Sequence, residues 1–275
     1  GEGSYDTVDY YPPFGSPAVT QGVFVNISNE VATYDFNGDL DVSVGVSQAI
    51  DNWGNWDLIQ NFENIGGSDF GDVLVAGNDD NYIEGRGGDD VIVGGGGYDY
   101  LVGGEGSDSF VFGTEWGDTG IDDFELGTDL LRFHGDVEIE SIDLIDTDEF
   151  EGTDSTLVTL TTGATITLYG VTDIEDISQL IAPPMLGDSG PNEIDGTVFN
   201  DAIEGGQGDD TLNGRAGVDT YVWSAGDGYD TIVGDDASQD TIQFVGSFYD
   251  FNWEYDGNDL IIGVVEDENY IFDGS

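Results

Sequence analysis

An aspartate recurs every nine residues through a glycine-rich stretch of this chain, and this period constrains the fold more than any other feature. Residues 67–111 divide into five nonapeptides whose sixth positions are Asp72, Asn81, Asp90, Asp99 and Asp108. The eighth position is always apolar: Leu74, Ile83, Ile92, Leu101 and Phe110. Glycine permits turns with positive φ, and a short strand after the turn directs one side chain inward. Each unit therefore predicts a glycine-rich turn followed by a three-residue strand.

Two such units make one turn of a parallel roll, because the chain reverses at each glycine-rich turn. Repeats that are two units apart then stack on the same edge. This arrangement places Asp72, Asp90 and Asp108 on one edge of the roll, and Asn81 and Asp99 on the other. The sequence thus predicts two rows of polar side chains, each stacked one turn above the next.

A second block of repeats runs from Gly187 to Val222. Its sixth positions are Asn192, Asp201, Asp210 and Asp219, and its inward residues are Ile194, Ile203, Leu212 and Tyr221. The two blocks are copies at an offset of 111 residues, in which Asp90, Asp99 and Asp108 match Asp201, Asp210 and Asp219. The match continues past the repeats and pairs Asp129 with Asp240. The repeating module is therefore a roll plus a cap, and the chain carries two of them.

Longer alternating segments after each block favour antiparallel strands. They pair Thr156–Leu160 with Ala164–Tyr169, and Phe251–Tyr255 with Leu260–Val265. Thr172 and Glu175 form a capping box that predicts one short helix before Pro183. The predicted fold is all-β, with two parallel β-roll (β-helix) blocks, each followed by an antiparallel β-rich cap. We assign residues 1–62 to a leading β-rich cap, 63–112 to the first roll, 113–182 to a β-rich cap with a short helix, 187–222 to the second roll and 223–275 to a C-terminal β cap.

Charge limits the partners of this chain. It has 59 acidic residues, three basic residues and a formal net charge of −56. Nucleic acid and anionic membranes need clustered cations, so both are excluded as partners. Calcium is favoured, because carboxylate and carbonyl oxygens are its preferred ligands. The chain has no cysteine for disulfides, and no apolar run approaches the length of a membrane span.

The clearest unit, Gly94 to Val102, resembles the RTX (repeats-in-toxin) nonapeptide Gly-Gly-x-Gly-x-Asp-x-apolar-x, a calcium-binding β-roll repeat. The resemblance implies that several Ca²⁺ ions bind between stacked repeats, held by sixth-position aspartates and by carbonyls of the glycine loops. Carried over, the metal ligands are Asp72, Asp90, Asp99, Asp108, Asp201, Asp210 and Asp219, with glycines Gly88, Gly95, Gly97, Gly104, Gly106, Gly206, Gly208 and Gly217. Asp129 and Asp240 are secondary candidates, whereas Asn81 and Asn192 depart from the motif.

The resemblance also implies a biological setting. It suggests part of a secreted or cell-surface bacterial protein that leaves the cell unfolded through type I secretion machinery and folds in extracellular calcium. The degenerate repeat at Gly1–Val8 indicates a piece of something longer, whose parent is an adhesin, a surface-layer protein or an enzyme. We expect the role of this region to be structural.

The energetics of one repeat favour a requirement for the ion. One inward apolar residue contributes roughly 1.5–3 kcal/mol of burial, whereas fixing nine residues of backbone costs on the order of 9–18 kcal/mol. Backbone hydrogen bonds narrow this gap by only about 0.5–1.5 kcal/mol each. Stacked aspartates repel one another as well. Calcium removes that repulsion and binds the folded arrangement preferentially, so that binding free energy becomes folding free energy.

We do not expect this chain to be an enzyme. Gly187-Asp188-Ser189-Gly190 matches a serine-protease phrase, but it is better explained as the degenerate first repeat of the second block, with Asn192 at the sixth position, and His134 is the only histidine that could serve as a base. Carboxylate pairs of the glycosidase type are uninformative, since acids are everywhere. Two accounts remain open for the acids outside the repeats. One is solubility or a salty habitat, and the other is a diffuse, low-affinity ion store.

The aromatic residues leave an alternative function open. The tryptophans Trp53, Trp56, Trp116, Trp223 and Trp253, together with 13 tyrosines, are able to stack on sugar rings. RTX modules attached to polysaccharide enzymes suggest such a role by resemblance. A carbohydrate-binding or adhesin module that binds extracellular polysaccharide is therefore the alternative to a purely structural module. In the simpler interpretation these rings fill the caps and the ends of the rolls.

Overall fold

The structure is a computed structural model with two compact units, Gly1–Ala182 and Pro183–Ser275. It describes residues 6–10, 21–28, 32–35, 41–44, 47–51, 53–59, 62–114, 116–135, 137–145, 155–174, 177–197, 199–224, 226–233, 240–245, 251–256 and 259–264. Within these residues the secondary structure is β, apart from one turn of 3-10 helix at Ile177–Gln179. None of the helical segments in the described residues has the length and apolarity needed to cross a bilayer.

The described residues of the first unit form seventeen strands. In chain order they are β1 Thr7–Asp9, β2 Phe24–Asn26, β3 Ala32–Asp35, β4 Asp41–Val44, β5 Gln48–Ile50, β6 Trp56–Leu58, β7 Asn64–Gly66, β8 Val73–Val75, β9 Tyr82–Gly87, β10 Val91–Val93, β11 Asp99–Glu105, β12 Ser109–Phe112, β13 Thr119–Ile121, β14 Leu130–Phe133, β15 Ile139–Ile145, β16 Ser155–Leu160 and β17 Thr165–Tyr169. The strands of the repeats are short because each nonapeptide spends most of its length in the turn.

Successive repeats alternate between two parallel sheets, as the nine-residue period predicts. One sheet stacks β8, β10 and β12, so that Leu74, Ile92 and Phe110 lie in register. The other stacks β7, β9 and β11, with Ile65, Ile83 and Leu101 in register. Two repeats therefore complete one turn of a β-solenoid.

Parallel stacking extends beyond the repeats in both directions. At the start, β1 pairs with β7 and β2 pairs with β8, so part of the leading segment supplies earlier strands of the same two sheets. At the end, β13 stacks on β11 and β14 stacks on β12. The first strands of the segment assigned to a cap thus continue the roll.

The remaining strands of the first unit form antiparallel hairpins, and β17 also joins the roll by parallel pairing with β13. The predicted pairing of Thr156–Leu160 with Ala164–Tyr169 is present as β16 and β17, and β15 adds to the outer side of β16. A second hairpin, β5–β6, extends β2. The predicted short helix is a single 3-10 turn, and Glu175 of its capping box lies outside the described residues.

The second unit repeats the roll in a shorter form. Its strands are β18 Met185–Leu186, β19 Glu193–Asp195, β20 Ala202–Glu204, β21 Thr211–Asn213, β22 Thr220–Ser224, β23 Asp230–Ile232, β24 Thr241–Val245, β25 Phe251–Asp256 and β26 Asp259–Val264. One parallel sheet is β18-β20-β22-β24. The other stacks β19, β21 and β23, and the predicted hairpin β25–β26 closes it by antiparallel pairing.

The eighth position of the repeats forms the core, as expected from strand alternation. The fully buried members are Leu74, Ile83, Ile92, Leu101, Phe110, Ile203, Leu212 and Tyr221, whereas Ile194 is half-buried. Each of the two parallel sheets supplies one column of these side chains, so the interior of each roll consists of two columns of apolar residues. The turns at both edges hold the aspartates.

Candidate metal centres

The sixth-position aspartates are buried, which is unusual for a carboxylate. Those that are nearly inaccessible to solvent include Asp72, Asp90, Asp99, Asp108, Asp201, Asp210 and Asp219. A buried carboxylate needs compensating partners, because its transfer out of water is costly. The partners of each oxygen therefore decide what these edges are able to bind.

One oxygen of each carboxylate holds the next rung in place. The amide N–H of Asp72 donates to Oδ1 of Asp90, and that of Asp90 donates to Oδ1 of Asp108, at 2.7 and 2.9 Å. The same bond recurs from Asn81 to Asp99, Asp108 to Asp129, Asn192 to Asp210, Asp201 to Asp219 and Asp219 to Asp240. We call each of these rows of aspartates a ladder, and each aspartate with its turn a rung.

The turns of the interior rungs adopt the backbone that glycine permits. Every glycine predicted to take part in a metal site has a positive φ: Gly88, Gly95, Gly97, Gly104, Gly106, Gly206, Gly208 and Gly217. A Cβ at Gly104 would overlap the carbonyl of Arg86 in the rung below, and one at Gly106 would overlap that of Gly88. Side chains are therefore excluded at these positions both by conformation and by the close approach of neighbouring turns.

The second oxygen of the interior carboxylates is the one that faces a possible ligand. Oδ2 of Asp90, Asp99, Asp108 and Asp210 is buried and has no hydrogen-bond partner in the described part of the chain. Each of these oxygens lies against the first glycine of its own repeat. A Cβ at Gly85 would overlap Oδ2 of Asp90 and would lie 2.5 Å from the carbonyl oxygen of Gly103 in the next rung.

This donor set fits calcium. A carboxylate oxygen and a main-chain carbonyl converge beside a glycine, and both are hard oxygen ligands of the kind that Ca²⁺ prefers. The described residues contain no group of three Asp, Glu, His or Cys side chains converging on one point. A cation between rungs would therefore need carbonyl oxygens as well as carboxylates. That requirement is met by a ladder whose turns stack through their backbones.

Burial and mutual repulsion disfavour the charged form of these aspartates. Burial, together with the charges of Asp72 and Asp108 on the adjacent rungs, raises the pKa of Asp90 to about 9. Burial likewise raises the pKa of Asp99 and that of Asp108 to about 7. A divalent cation at the ladder would offset both the burial and the repulsion.

The first rung of each block differs from the interior rungs. Asp72 accepts hydrogen bonds from the backbone and hydroxyl of Ser68, and Asp201 accepts the same two bonds from Thr197. These bonds, with one from Val23, oppose the effect of burial, and the pKa of Asp72 is raised only to about 6. Among the predicted ligands, Asp72 and Asp201 thus have hydroxyl and amide partners.

The two asparagines also occupy rungs. Asn192 accepts a hydrogen bond from the amide of Asp188 at 2.9 Å, which resembles the bonding of Asp72 and Asp201. Asn81 donates from its side chain to the carbonyl of Glu63 at 2.6 Å. A neutral amide attracts a cation less than a carboxylate does, so these are the weaker positions of both ladders.

The secondary candidates lie at the last rungs. Asp129 is buried, and its Oδ2 accepts the amide N–H of Glu125 at 2.8 Å. Asp240 is exposed and receives the amide of Asp219. Each lies 21 residues after the aspartate of the rung below it, whereas stacked repeats within a block are 18 residues apart.

Two buried or bonded aspartates were not identified from the repeats. Asp230 accepts the amide of Asp210 at 3.0 Å, and burial raises the pKa of Asp230 to about 7. Its spacing of 20 residues resembles that of the other last rungs, and this was the signal available in the sequence. Asp123 binds the amides of Gly103 and Gly104 at 2.9 and 2.8 Å, and no repeat position marks it.

The described geometry defines a class of protein, a β-solenoid with stacked carboxylate ladders suited to binding calcium. The family model for the RTX calcium-binding nonapeptide repeat, four copies long, matches residues 66–101, 87–114 and 186–221. The matched residues cover both repeat blocks, and these matches together with the β-solenoid fit an RTX repeat protein. Proteins with such repeats are typically secreted by bacteria, and the repeats themselves are generally structural rather than catalytic.

Other comparisons add little. No curated protein matches the chain. Among solved structures, the crystal structure of the extracellular lipase LipA from Serratia marcescens matches with 20% sequence identity and a TM-score of 0.23. The match covers 74% of this chain and 36% of that chain, so this chain spans little more than a third of that protein. A likeness of this size carries no argument about function.

Proposed function

We propose that this chain is a structural module whose folding is driven by extracellular Ca²⁺ and which forms part of a larger secreted or cell-surface protein. The observation that carries the proposal is the set of buried Oδ2 atoms on interior rungs, at Asp90, Asp99, Asp108 and Asp210, that lack hydrogen-bond partners among the described residues. Such atoms are costly in a metal-free fold. They are expected in a fold that is completed by cations.

The proposed ligands come from two neighbouring rungs at a time. At the rung of Asp90, the carboxylate of that residue and the carbonyl of Gly103 are both directed towards the first glycine of the repeat. Oδ2 of Asp99, Asp108, Asp210 and Asp219 likewise lies against the first glycine of its own repeat. Calcium supplies charge neutralisation at these positions, and the chain supplies a rigid stack that presents the oxygens.

Folding that requires calcium would depend on the compartment, because calcium is scarcer inside the cell than outside it. In low calcium the stacked carboxylates repel one another and their burial is uncompensated, which favours the unfolded chain. Each ion that binds only the folded state contributes about 2.7 kcal/mol at a concentration a hundredfold above its dissociation constant. An unfolded chain inside the cell suits passage through type I secretion machinery, and higher calcium outside then favours folding.

Circular dichroism tests the proposal. Protein stripped with EDTA should lack the full β spectrum and should gain it on addition of millimolar calcium. Magnesium at the same concentration is the control for ionic screening, because it demands octahedral geometry and retains its water. We expect magnesium to have little effect. A full β spectrum without metal, unchanged by calcium, would contradict the proposal.

Polysaccharide binding is a second candidate function, and one observation favours it. Trp53 and Trp56 are 47% and 57% exposed near and on the β5–β6 hairpin, so these two rings do not fill a cap. Trp223, in contrast, is buried in the core of the second unit, and Trp116 packs against the core of the first. Exposed indole rings stack well on sugar rings.

A glycan array in calcium tests this second candidate with the variants Trp53→Ala and Trp56→Ala. Leu58→Ala is the matched control, because Leu58 lies on the same hairpin and is more exposed than either tryptophan. Binding that is lost in both tryptophan variants and kept in the control would support the candidate. Binding retained in all three variants would remove this pair from consideration.

A further inference from the structure

The first complete rung of each block has a sequence of its own. Residues 67–72 and 196–201 both read Gly-Ser/Thr-x-Phe-x-Asp, with a hydroxyl at the second position and phenylalanine at the fourth. The interior repeats with aspartate at the sixth position carry glycine or arginine at the second position and glycine at the fourth. Under the 111-residue offset, Asp201 corresponds to Asp90 rather than to Asp72. The two occurrences of the signature are therefore not explained as copies of each other.

In both signatures one backbone amide and one hydroxyl group donate to the aspartate of the same repeat, although the hydroxyl bonds a different carboxylate oxygen in each. At Asp72, the amide of Ser68 donates to Oδ2 at 2.5 Å, and the Ser68 hydroxyl donates to Oδ1 at 2.9 Å. The amide of Phe70 donates in turn to the Ser68 hydroxyl oxygen at 3.3 Å. The Ser68 hydroxyl also lies 3.4 Å from the carbonyl oxygen of Phe70, and its bond to the carboxylate is the shorter of the two.

The rung of Asp201 repeats this arrangement in the second unit. The amide and the hydroxyl of Thr197 both donate to Oδ2 of Asp201, at 2.6 and 2.9 Å. The amide of Phe199 donates to the Thr197 hydroxyl oxygen at 3.1 Å. Two separate rungs thus use one hydroxyl and two amides in the same roles.

In the described interior rungs, the second residue of the repeat does not donate hydrogen bonds to Oδ2 of the aspartate. Their second residue has a positive φ, as in Arg86, Gly95, Gly104 and Gly206. The residues with positive φ in the described part of the chain do not include Ser68 or Thr197. Oδ2 of the corresponding aspartates Asp90, Asp99, Asp108 and Asp210 has no hydrogen-bond partner there. We call the interior rungs open and the rungs of Asp72 and Asp201 closed.

We propose that Ser68 and Thr197 close the first aspartate rung of each block to calcium, and that they are specificity-determining residues of their ladders. The inference rests on the proposed calcium function and assigns its ions to the open rungs. Asp72 and Asp201 then act as hydrogen-bonded ends, in contrast to the role that the nonapeptide motif alone predicts for them.

The physical reason is competition for the same carboxylate oxygens. The N–H and O–H groups of Ser68 or Thr197 direct the positive ends of their dipoles at the carboxylate, where a cation would need to approach. A cation at that position would meet these hydrogens and would have to displace bonds to a charged group, each contributing about 1.5–3 kcal/mol. Closed rungs therefore remain bonded with or without calcium.

The number of bound calcium ions tests this inference. The variants Ser68→Gly and Thr197→Gly remove the hydroxyl and permit a positive φ, so each should bind one more calcium ion per chain than the wild type, and the double variant two more. Ser68→Thr and Thr197→Ser retain the hydroxyl and are the matched controls. We expect their ion counts to equal that of the wild type, measured by equilibrium dialysis with metal analysis.

A second readout does not involve calcium. In EDTA, the amide of Ser68 should exchange more slowly with solvent than the corresponding amide of Gly95 in the same unit. A wild type that binds calcium, together with glycine variants that fold and bind the same number of ions, would overturn this inference and leave the calcium function intact. A wild type that binds no calcium would instead overturn the proposed function.

A reciprocal pair of variants decides the matter if the glycine variants do not fold. Arg86→Ser introduces a hydroxyl at the second position of an open rung, whereas Arg86→Gly removes the same arginine and its ion pair with Asp9 without adding one. The serine variant should bind one calcium ion fewer than the glycine variant. Equal counts in the two variants would overturn the inference.

Discussion

The two units carry the same ladder but differ in the core that supports it. In the described residues, the first unit has a cluster of 24 buried apolar side chains, contributed by the repeats, the leading strands and the β13–β17 segment. The corresponding cluster of the second unit has six, and it includes Tyr221 and Trp223. At roughly 1.5–3 kcal/mol for each buried side chain, the difference in burial is large relative to the net stability of a domain.

This difference indicates that apolar burial and calcium binding contribute in different proportions to the stability of the two rolls. In the first unit, the leading strands and the cap bury apolar side chains in addition to the eighth-position residues, of which each repeat supplies one. The second unit has fewer such additions, so a larger share of its stability should come from ions on the ladder. Identical repeats are then expected to show different degrees of calcium dependence, depending on what surrounds them.

The largest expected effect is the response of the two units to chelation. In excess EDTA the second unit should lose its cooperative unfolding transition, whereas the first should retain a broadened transition at a lower temperature. Differential scanning calorimetry of the whole chain over a series of calcium concentrations measures both transitions. A single transition for the whole chain, whose temperature shifts with calcium, would contradict the expected difference between the two units.

Matched core truncations come next in size. Leu101 and Leu212 are copies at the 111-residue offset, and both are buried. Replacing either with alanine should cost about 2–5 kcal/mol in calcium. Leu212→Ala should abolish the transition assigned to the second unit, while Leu101→Ala should only lower the melting temperature of the first. Equal fractional losses in the two units would show that their cores contribute equally.

Replacing matched aspartates of the ladders with asparagine should change stability less, and the sign of the change in the first unit should differ between calcium and EDTA. Asp99→Asn and Asp210→Asn each remove one anionic ligand and keep the shape of the side chain. In saturating calcium, each should destabilise its unit by about 2–3 kcal/mol, the contribution of one ion near a hundredfold excess over its dissociation constant. In EDTA, Asp99→Asn should stabilise the first unit slightly, because a costly buried charge is gone. Destabilisation of equal size in both conditions would point to packing alone.

The smallest effect is a dependence on pH in the absence of metal. The pKa values of Asp90, Asp99 and Asp108 are raised in the fold, so the metal-free folded state holds protons that the unfolded chain has lost. The stability they contribute is complete below about pH 4 and is lost as the pH rises through the range from 7 to 9. In EDTA, more β structure is therefore expected at pH 5.5 than at pH 9.

Calcium binding should follow the reverse order, because protons compete for the same oxygens. The affinity for calcium should be weaker at pH 6 than at pH 8, by roughly tenfold if one proton is displaced per ion over one pH unit. Calorimetric titration at the two pH values measures the difference. Equal affinities would mean that the ions bind carboxylates that are already fully charged at pH 6.

Much of this architecture was predictable from the period of the repeats. The nine-residue spacing identified the two parallel sheets, the buried eighth positions such as Leu74 and Leu101, and the two edges that hold the aspartates. Local sequence patterns are sufficient here because each repeat pairs mainly with the repeat that lies two repeats further along the chain. The antiparallel hairpins after each block were likewise predictable from alternation and turn residues.

Other features were not predictable because they depend on neighbours that the motif does not encode. Asp230 joins a ladder only because β23 continues the stack after a turn of irregular length. Ser68 and Thr197 become partners of an aspartate through the backbone conformation of the turn, which a glycine-based motif does not specify. The exposure of Trp53 and Trp56 depends on how the β5–β6 hairpin extends the sheet.

Hydrogen exchange of the ladder amides tests the central claim most directly. The amides of Asp72, Asp90 and Asn81 each donate to the carboxylate of the next rung. If calcium holds the interior rungs together, the amides of Asp90 and Asn81 should be strongly protected in calcium and should exchange rapidly in EDTA. Equal protection of these amides with and without calcium would contradict the account.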